Sequence, residues 1–369
     1  MGPLSGVKIV ELAGIGPGPF CAMLLADLGA DVVRVDRMTQ VDLGIDRGRQ
    51  FSVLNRSRRS VSVDLKNSDG VETVLKLVEE ADALIEGFRP GVTERLGLGP
   101  EECLARNPKL VYGRMTGWGQ EGPLAHAAGH DINYIALTGA LHAIGSADKP
   151  SPPLNLVGDF GGGGIYLAFG ICAALLEAKT SGEGQVVDSA MVDGSLSLMS
   201  FFYSLKEMGH WEDSRESNLL DGFAHFYDTY ECSDNKYIAI GSIEPQFYSE
   251  LLEKLEIDDE QFKDQHNKQI WPELKEKMAA KIKIKSRSEW VEIFSDSDAC
   301  VSPVLSMEEA KKHPHNLERD AFTNIDGFSQ PNASPRYSKT KQKVKHNAKK
   351  VGTDLDDICN EFNLSKNVL

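Results

Sequence analysis

The order of strand, turn and helix in the first 36 residues constrains the fold more than any other feature. Residues 7–13 predict a short strand, and residues 14–19 form a turn of alternating glycine and other residues, two of them proline. Residues 20–28 carry apolar side chains at helical spacing up to Gly29, and residues 30–35 predict a second strand. This β-α-β unit predicts an α/β protein whose large domain has a Rossmann-like parallel sheet.

The glycines of the first turn argue against a dinucleotide site. Gly14, Gly16 and Gly18 have the spacing G-x-G-x-G, so the third glycine of the G-x-G-x-x-G fingerprint is missing. Pro17 and Pro19 also remove backbone N–H groups that a pyrophosphate would need. We therefore predict a Rossmann-like fold that does not bind NAD.

Three predicted strands of this region end in loops that carry an arginine or a glycine. The loops are Asp36-Arg37, Phe88-Arg89 and Thr116-Gly117. In open α/β sheets, ligands collect at the carboxyl ends of the strands. The repetition of such loops predicts a ligand site at this edge of the sheet.

Three arginines, Arg56, Arg58 and Arg59, precede a predicted strand of alternating residues that begins at Ser60. A solvated basic edge and a phosphate clamp both fit such a run. The sequence leaves these two interpretations open.

Two proton-transfer groups, His130 and Asp159, stand at the two ends of one central stretch. His130 lies in the sequence Gly-His-Asp-Ile-Asn-Tyr, and an isolated histidine of this kind is either structural or catalytic. Asp159 follows an apolar, strand-like run and precedes four glycines that open a long apolar helix. An N-cap role also fits Asp159, but the glycines favour a ligand site because they let a ligand approach the backbone closely.

Placed on either side of the α-carbon of a thioester, these two groups could invert its configuration. One would remove the α-proton and the other would return a proton to the opposite face through an enolate, whose oxygen needs oriented donors. From reference pKa values of ~3.9 and ~6.5, water favours the ionised Asp/His pair by roughly 3.5 kcal/mol. Burial raises the pKa of an aspartate and lowers that of a histidine, so a reversible reaction predicts a dry, closed pocket.

The 369 residues predict more than one core. We assign residues 1–205 to the large domain, 206–221 to a linker, 222–325 to a smaller α+β domain, and 326–369 to a return segment with a C-terminal helix that packs back on the large domain. Paired strands at 226–231 and 237–241 mark the start of the smaller domain.

Composition excludes several classes of protein. With 40 Lys and Arg against 55 Asp and Glu, the net charge of −15 argues against a nucleic-acid binder. The six scattered cysteines form no C-x-x-C pair or zinc spacing, which predicts reduced thiols and no metal site. We expect no membrane span and no secretory signal, hence a soluble intracellular protein.

Five motifs along the chain resemble those of the alpha-methylacyl-CoA racemases, within the family III CoA-transferase superfamily. They are residues 11–14 with 17–19, residues 33–37, Gly129-His130-Asp131-Ile132-Asn133-Tyr134, residues 155–160 and residues 243–247. The resemblance implies the family fold, an interlocked homodimer whose active site lies between the large domain of one chain and the small domain of the other.

The resemblance also implies roles for individual residues. His130 and Asp159 match the catalytic acid/base pair, and Glu244 matches an acid that supports the catalytic histidine. The segments that match CoA-binding residues are Arg37, Val63, Asp64, Leu65, Lys66, Gly87, Phe88, Arg89, Arg95, Gly129, His130, Asp131, Ile132, Asn133 and Tyr134. The resemblance gives no role to the arginines at 56, 58 and 59.

The resemblance implies an isomerase that interconverts (2R)- and (2S)-2-methylacyl-CoA in branched-chain fatty acid metabolism, with bile acid intermediates as a further substrate class. Acyl-CoA is then the substrate, and no cofactor is needed. Two alternatives are a CoA-transferase that uses Asp159 as nucleophile and an inactive acyl-CoA-binding relative. A eukaryotic member would lie in the peroxisome or mitochondrion and a bacterial one in the cytoplasm, although Asn367-Val368-Leu369 is not a standard peroxisomal signal.

Overall fold

A computed structural model describes residues 2–38, 48, 51–362 and 364 of the chain. The described chain divides into two compact units. The first unit contains residues 1–140, 153–199 and 315–369, and the second contains residues 141–152 and 200–314. The C-terminal tripeptide discussed above lies outside the described residues.

The strands of the described residues lie in four sheets. Their bounds are β1 Lys8–Leu12, β2 Asp31–Asp36, β3 Arg59–Ser62, β4 Ala83–Glu86, β5 Val111–Thr116, β6 Gly145–Ser146, β7 Lys149–Pro150, β8 Val186–Ala190, β9 Tyr227–Glu231, β10 Tyr237–Gly241, β11 Val301–Pro303, β12 Phe322–Ile325 and β13 Phe328–Pro331.

The helices include one unusual π-helical segment, Leu156–Ile165, and short 3-10 turns at Val53–Asn55 and Glu260–Lys263. The α-helices are α1 Pro17–Asp27, α2 Ser68–Glu79, α3 Val92–Arg95, α4 Pro100–Arg106, α5 Asp131–Ala136, α6 Ala140–Ala143, α7 Tyr166–Ser181, α8 Met191–Leu198, α9 Ser200–Glu207, α10 Pro245–Lys254, α11 Trp271–Ile282, α12 Arg287–Ile293, α13 Met307–Ala310, α14 Pro314–Glu318 and α15 Leu355–Glu361.

Among the described residues, one six-stranded sheet organises the first unit. Its order is β3-β2-β1-β4-β5-β8, and each neighbouring pair is parallel. The order reverses between β1 and β4, which is the switch point where doubly wound sheets open a crevice for ligands. The predicted Rossmann-like parallel sheet is therefore confirmed.

Alternating side chains on the strands build a core on each face of this sheet. On one face Ile9 and Val32 pack with residues of α1 and α7. On the other face Val10 and Val33 pack with α2 and with Ile358 of α15. Since successive side chains of a strand point to opposite faces, a strand buried on both faces needs a continuous apolar run.

The second unit has a three-stranded antiparallel sheet of order β11-β10-β9, covered by helices. Buried aromatic side chains, among them Phe226, Trp271 and Trp290, fill its core. The hairpin of β6 and β7 also belongs to this unit because Arg215 donates three hydrogen bonds to the carbonyl oxygens of residues 142, 146 and 147.

These bounds differ in places from the domain limits that the sequence suggests. The second unit begins at residue 200 rather than 222, and α9 and the loop after it are part of it rather than a linker. Residues 141–152 join it through a distant arginine, a contact that no local pattern signals. Residues 315–325 group with the first unit.

The segment after β13 returns to the first unit and follows the end of α1. The N–H of Lys343 donates to the carbonyl oxygen of Asp27, and the N–H of Lys345 donates to the Ser57 hydroxyl. The chain then enters α15, whose Ile358 and Cys359 are buried. These contacts give the polar return segment its path.

The π-helical segment and α7 continue as one helix, Leu156–Ser181, which by length and composition alone could cross a membrane. The sequence predicts no membrane span, so the packing of this helix bears directly on that prediction. One face of α7, including Leu167, Ile171 and Ala174, is buried in the core beside β5. A helix with one face in the core is typical of a globular domain.

The three clustered arginines are neither a solvated edge nor a phosphate clamp. Arg56 is 3% exposed and pairs with Asp27, which is itself buried, and Arg58 is 2% exposed and pairs with Glu11. Arg59 pairs with Asp31 and with Glu361 of α15. Each arginine is thus held by a carboxylate, and the basic run ties β3 to its neighbours.

We expect the Arg58–Glu11 pair to show the asymmetry of buried ion pairs. Arg58→Met leaves the Glu11 carboxylate buried without a partner and should lower the free energy of unfolding by about 3–5 kcal/mol. The double variant Glu11→Leu/Arg58→Met should regain most of this loss because both charges are gone. Urea unfolding measures both values, and a double variant that is no more stable than Arg58→Met would contradict the prediction.

Candidate active site

The carboxyl edge of the parallel sheet gathers most of the predicted site residues. Arg37 follows β2, the run from Val63 to Lys66 follows β3, and the loop of Phe88 and Arg89 follows β4. The turn after β1 contains Gly16, whose positive φ of 67° suits glycine and which caps α1. The predicted site residues therefore lie at the switch point of the sheet, and their role in binding a ligand stays a prediction.

His130 is the N-cap of α5. Its backbone N–H donates to the Oδ1 atom of Asn133 at 3.0 Å, and its carbonyl oxygen accepts from the N–H groups of Asn133 and Tyr134. These bonds fix the backbone on both sides of the imidazole, while the side chain is exposed on this chain. The motif thus forms the start of a helix whose N-cap residue is a histidine with an exposed side chain.

Asp159 stands in the first turn of the π-helical segment. Its backbone N–H donates to Oδ1 of Asp131 at 2.7 Å, so the residue after His130 holds the backbone of the second proton-transfer candidate. A Cβ at Gly16 would lie 3.3 Å from Oδ2 of Asp159, which puts the carboxyl group against the turn after β1. The two proton-transfer candidates are therefore brought to one place.

Partial burial raises the pKa of the Asp159 carboxyl group, and the nearby charge of Asp131 raises it further. A hydrogen bond from Nδ2 of Asn155, 3.0 Å long, and the proximity of His130 act in the opposite direction. The net pKa shift is upward, as a reversible exchange of one proton with a histidine requires.

The glycines after Asp159 serve packing rather than ligand binding. A Cβ at Gly162 would lie 2.6 Å from the backbone nitrogen of Ser195, and one at Gly164 would lie 2.9 Å from the carbonyl oxygen of Pro17. The glycines therefore let this helix approach α8 and α1 closely. The interpretation that they cradle a ligand is not supported by these contacts.

Tyr134 links the histidine motif to the loop that follows β5. Its hydroxyl donates to the carbonyl oxygen of Gly129, and its ring meets that of Trp118 edge to face at 4.8 Å. Burial raises the pKa of this hydroxyl, with Asp159 raising it and Arg89 lowering it. The charges of Asp159 and Arg89 are thus both close enough to affect the pKa of Tyr134.

The predicted CoA-binding residues fall into supporting and exposed groups. Those that support the loops by burial are Val63, Leu65, Phe88, Asp131 and Tyr134. Those that are exposed are Arg37, Asp64, Lys66, Gly87, Arg89, Arg95, Ile132 and Asn133, and Gly129 is half-buried. The guanidinium of Arg37 lies 5.8 Å from the centre of the Phe88 ring, which joins the loops after β2 and β4.

Glu244 belongs to the second unit, where it is exposed and is the N-cap of α10. The geometry of the first unit neither includes nor uses it. Its predicted support of His130 stays a prediction.

Asn155 is a site residue that sequence reasoning missed. It stands four residues before Asp159, a helical spacing that would have signalled the contact. The apolar residues Leu156 and Val157 suggested a strand there, and the structure shows that they are helical. The wrong local assignment therefore hid the partner of the catalytic candidate.

Across the described residues, no group of three or more His, Cys, Asp or Glu side chains is arranged to hold a metal ion. The described cysteines are free thiols.

Comparison with known proteins confirms the resemblance seen in the motifs. Residues 4–355 match the model of the CoA-transferase family III. The chain is 46% identical to the alpha-methylacyl-CoA racemase of Mus musculus and 42% identical to that of Homo sapiens. Each alignment covers 98% of this chain and 94% of the relative.

A solved structure supports the fold. The crystal structure of a CaiB/BaiF family protein from Brucella suis matches this chain with a TM-score of 0.84 at 26% sequence identity. The match covers 98% of this chain and 99% of that protein.

The Asn155 contact generates a direct test of the Asp159 electrostatics. Asn155→Ala removes a donor that stabilises the ionised carboxylate, so the pKa of Asp159 should rise further. NMR titration of protein labelled with 13C at the aspartate carboxyls measures it, with the signal identified by its absence from Asp159→Asn. An unchanged or lower titration midpoint would show that Asn155 does not hold the ionised form.

Proposed function

Because this chain belongs to the CoA-transferase family III, we propose that it is an isomerase which interconverts the 2R and 2S epimers of 2-methylacyl-CoA thioesters without a cofactor. The observation that carries the proposal is the Asp159 carboxyl group, with a raised pKa and within electrostatic reach of His130. The two relatives named racemases support it, since each resembles nearly the whole chain.

The reaction we propose is a proton transfer at the α-carbon. One of His130 and Asp159 removes the α-proton, and the other protonates the opposite face of the resulting enolate. The pair then holds one proton in both directions of the reaction, but each turnover leaves that proton on the other group. A second turnover in the same direction therefore requires the proton to return to the first group, directly or by exchange with solvent. A raised pKa for Asp159 supports this role because it brings the pKa of this carboxyl group closer to the ordinary pKa of a histidine.

Loss of either group separates proton exchange from inversion. We expect His130→Gln and Asp159→Asn each to slow racemisation by about 10²–10⁴-fold, the usual contribution of a positioned acid or base. The remaining group still reaches one face of the α-carbon. In D2O the two variants should therefore deuterate opposite epimers without inverting them, as measured by mass and by chiral separation.

The same assay discriminates the alternatives. If the protein exchanges no α-proton but passes CoA to an added carboxylate, and only the Asp159 variant loses this activity, the protein is a transferase with Asp159 as nucleophile. If it binds CoA and does neither, it is an inactive relative. Racemisation that survives both substitutions would place the chemistry elsewhere.

We further infer that the protein works as a homodimer. His130 is exposed on this chain, so a dry pocket needs cover from outside it. Ile165, Phe169 and Leu176 form an exposed apolar stripe along one helix face, and the last two are 72% and 70% exposed. In this proposal a second copy covers the stripe, and its Glu244 approaches His130, as the family resemblance implies.

A charge on the stripe tests the dimer. We expect Phe169→Glu to shift the protein from dimer to monomer in analytical ultracentrifugation and to lower racemase activity with it, because a buried unpaired carboxylate opposes association. Met307→Glu is the control, since Met307 is 82% exposed and belongs to the second unit. A wild-type protein that sediments as a monomer at micromolar concentration, or a Phe169→Glu dimer, would contradict the inference.

A further inference from the structure

A buried ion pair lies directly behind the arginine-bearing loops of the site. Glu86 ends β4 and is fully buried, and Arg114 of β5 is 6% exposed. The two residues are register partners in the parallel sheet, and Nε of Arg114 donates to Oε1 of Glu86 at 2.9 Å. The proposed proton transfer uses neither of them.

The Glu86 end of this pair holds the loop after β4. Its second oxygen, Oε2, accepts the backbone N–H of Phe88 at 2.7 Å. The Phe88 ring in turn carries the Arg37 guanidinium, 5.8 Å from the ring centre, and the next residue is Arg89. One carboxylate thus fixes the backbone beneath two exposed arginines.

The Arg114 end holds α3. Its Nη1 donates to Oε1 of Glu94 at 2.8 Å, and its Nη2 donates to the hydroxyl of Thr93, which is fully buried. Glu94 immediately precedes Arg95, the exposed arginine at the end of α3. A single guanidinium therefore links α3 to the carboxylate of Glu86 at the end of β4.

We propose that Glu86 and Arg114 are positioning residues which set Arg37, Arg89 and Arg95 for the phosphates of the CoA nucleotide. This inference rests on the proposed function. Exposed arginines have high side-chain entropy, and a guanidinium binds phosphate well only when its planar fork is aimed. The pair orients the arginines by holding the backbone of the loop after β4 and of α3 against the sheet. It touches neither the ligand nor the reacting carbon.

The geometry favours Arg114 as the residue to test because it makes three connections at once. Lysine keeps the charge but lacks the planar fork, so Arg114→Lys can hold Glu86 and still release Glu94 and Thr93. Glu94→Gln is a milder variant, because Glu94 is exposed and its change does not bury an unpaired charge. Both should leave His130 and Asp159 in place.

Two thioesters with the same 2-methylacyl chain separate positioning from a general structural effect. One carries CoA, and the other carries pantetheine, which lacks the nucleotide and its phosphates. We expect Arg114→Lys to weaken binding of the CoA thioester, with KM about tenfold higher and kcat changed by no more than about twofold. The kcat/KM for the pantetheine thioester should not change. Glu94→Gln should act in the same direction with a smaller factor.

Arg56→Lys is the matched control. It changes another buried arginine that bridges a carboxylate, Asp27 at the end of α1, and leaves the arginine loops alone. It should leave KM for both thioesters unchanged. Equal losses on the CoA and pantetheine thioesters in Arg114→Lys, or an unchanged KM for CoA, would overturn the proposal.

Calorimetry with free CoA keeps this inference separate from the proposed reaction. If wild-type protein binds CoA but does not racemise, a weaker affinity in Arg114→Lys still supports the positioning role, and an equal affinity refutes it. If wild-type protein binds no CoA, the proposed function and this inference both fail.

Discussion

The hydrogen bond from the Asp159 N–H to the Asp131 carboxylate is the interaction on which the candidate site depends. It joins the first turn of a ten-residue π-helical segment to the first turn of a short α-helix. Because His130 is the N-cap of that α-helix, the same bond ties together the two segments that carry the proton-transfer candidates. Asp131, which has no part in the proposed proton transfer, thus positions the two residues to which we assign it.

Charge is divided between two tasks on the first unit. Arg56, Arg58 and Arg114 are buried and neutralised by carboxylates, and they join strands, helices and the return segment. Arg37 and Arg89 are exposed at the carboxyl edge of the sheet. An acidic protein with a net charge of −15 can therefore still present positive side chains where a phosphate would approach.

The sequence predicted those parts of the fold that short-range patterns control. The β-α-β unit, the paired strands of the second unit and the C-terminal helix follow from apolar periodicity and turn residues. The family motif predicted that His130 and Asp159 belong together.

Long-range partners were not predictable in this way. The residues around Arg58 in the sequence do not indicate that it pairs with Glu11, which is 47 residues away. The residues around Arg215 likewise do not indicate the hairpin that it holds. The π-helical segment was missed for a different reason, since Leu156 and Val157, which lie between Asn155 and Asp159, suggest a strand. Tertiary contacts, rather than local preference, decide these features.

The return of the chain to the first unit has a consequence for biosynthesis. The six strands of the parallel sheet, β1 to β5 and β8, have all been made by residue 190, but one of the two cores on this sheet is completed by Ile358 and Cys359. Between these points the ribosome makes residues 200–314, nearly the whole of the second unit. Because domains fold as units during synthesis, the second unit can mature while the first still shows an uncovered apolar face. Synthesis of α15 thus ends a period in which the nascent chain exposes this apolar face to aggregation and to chaperones.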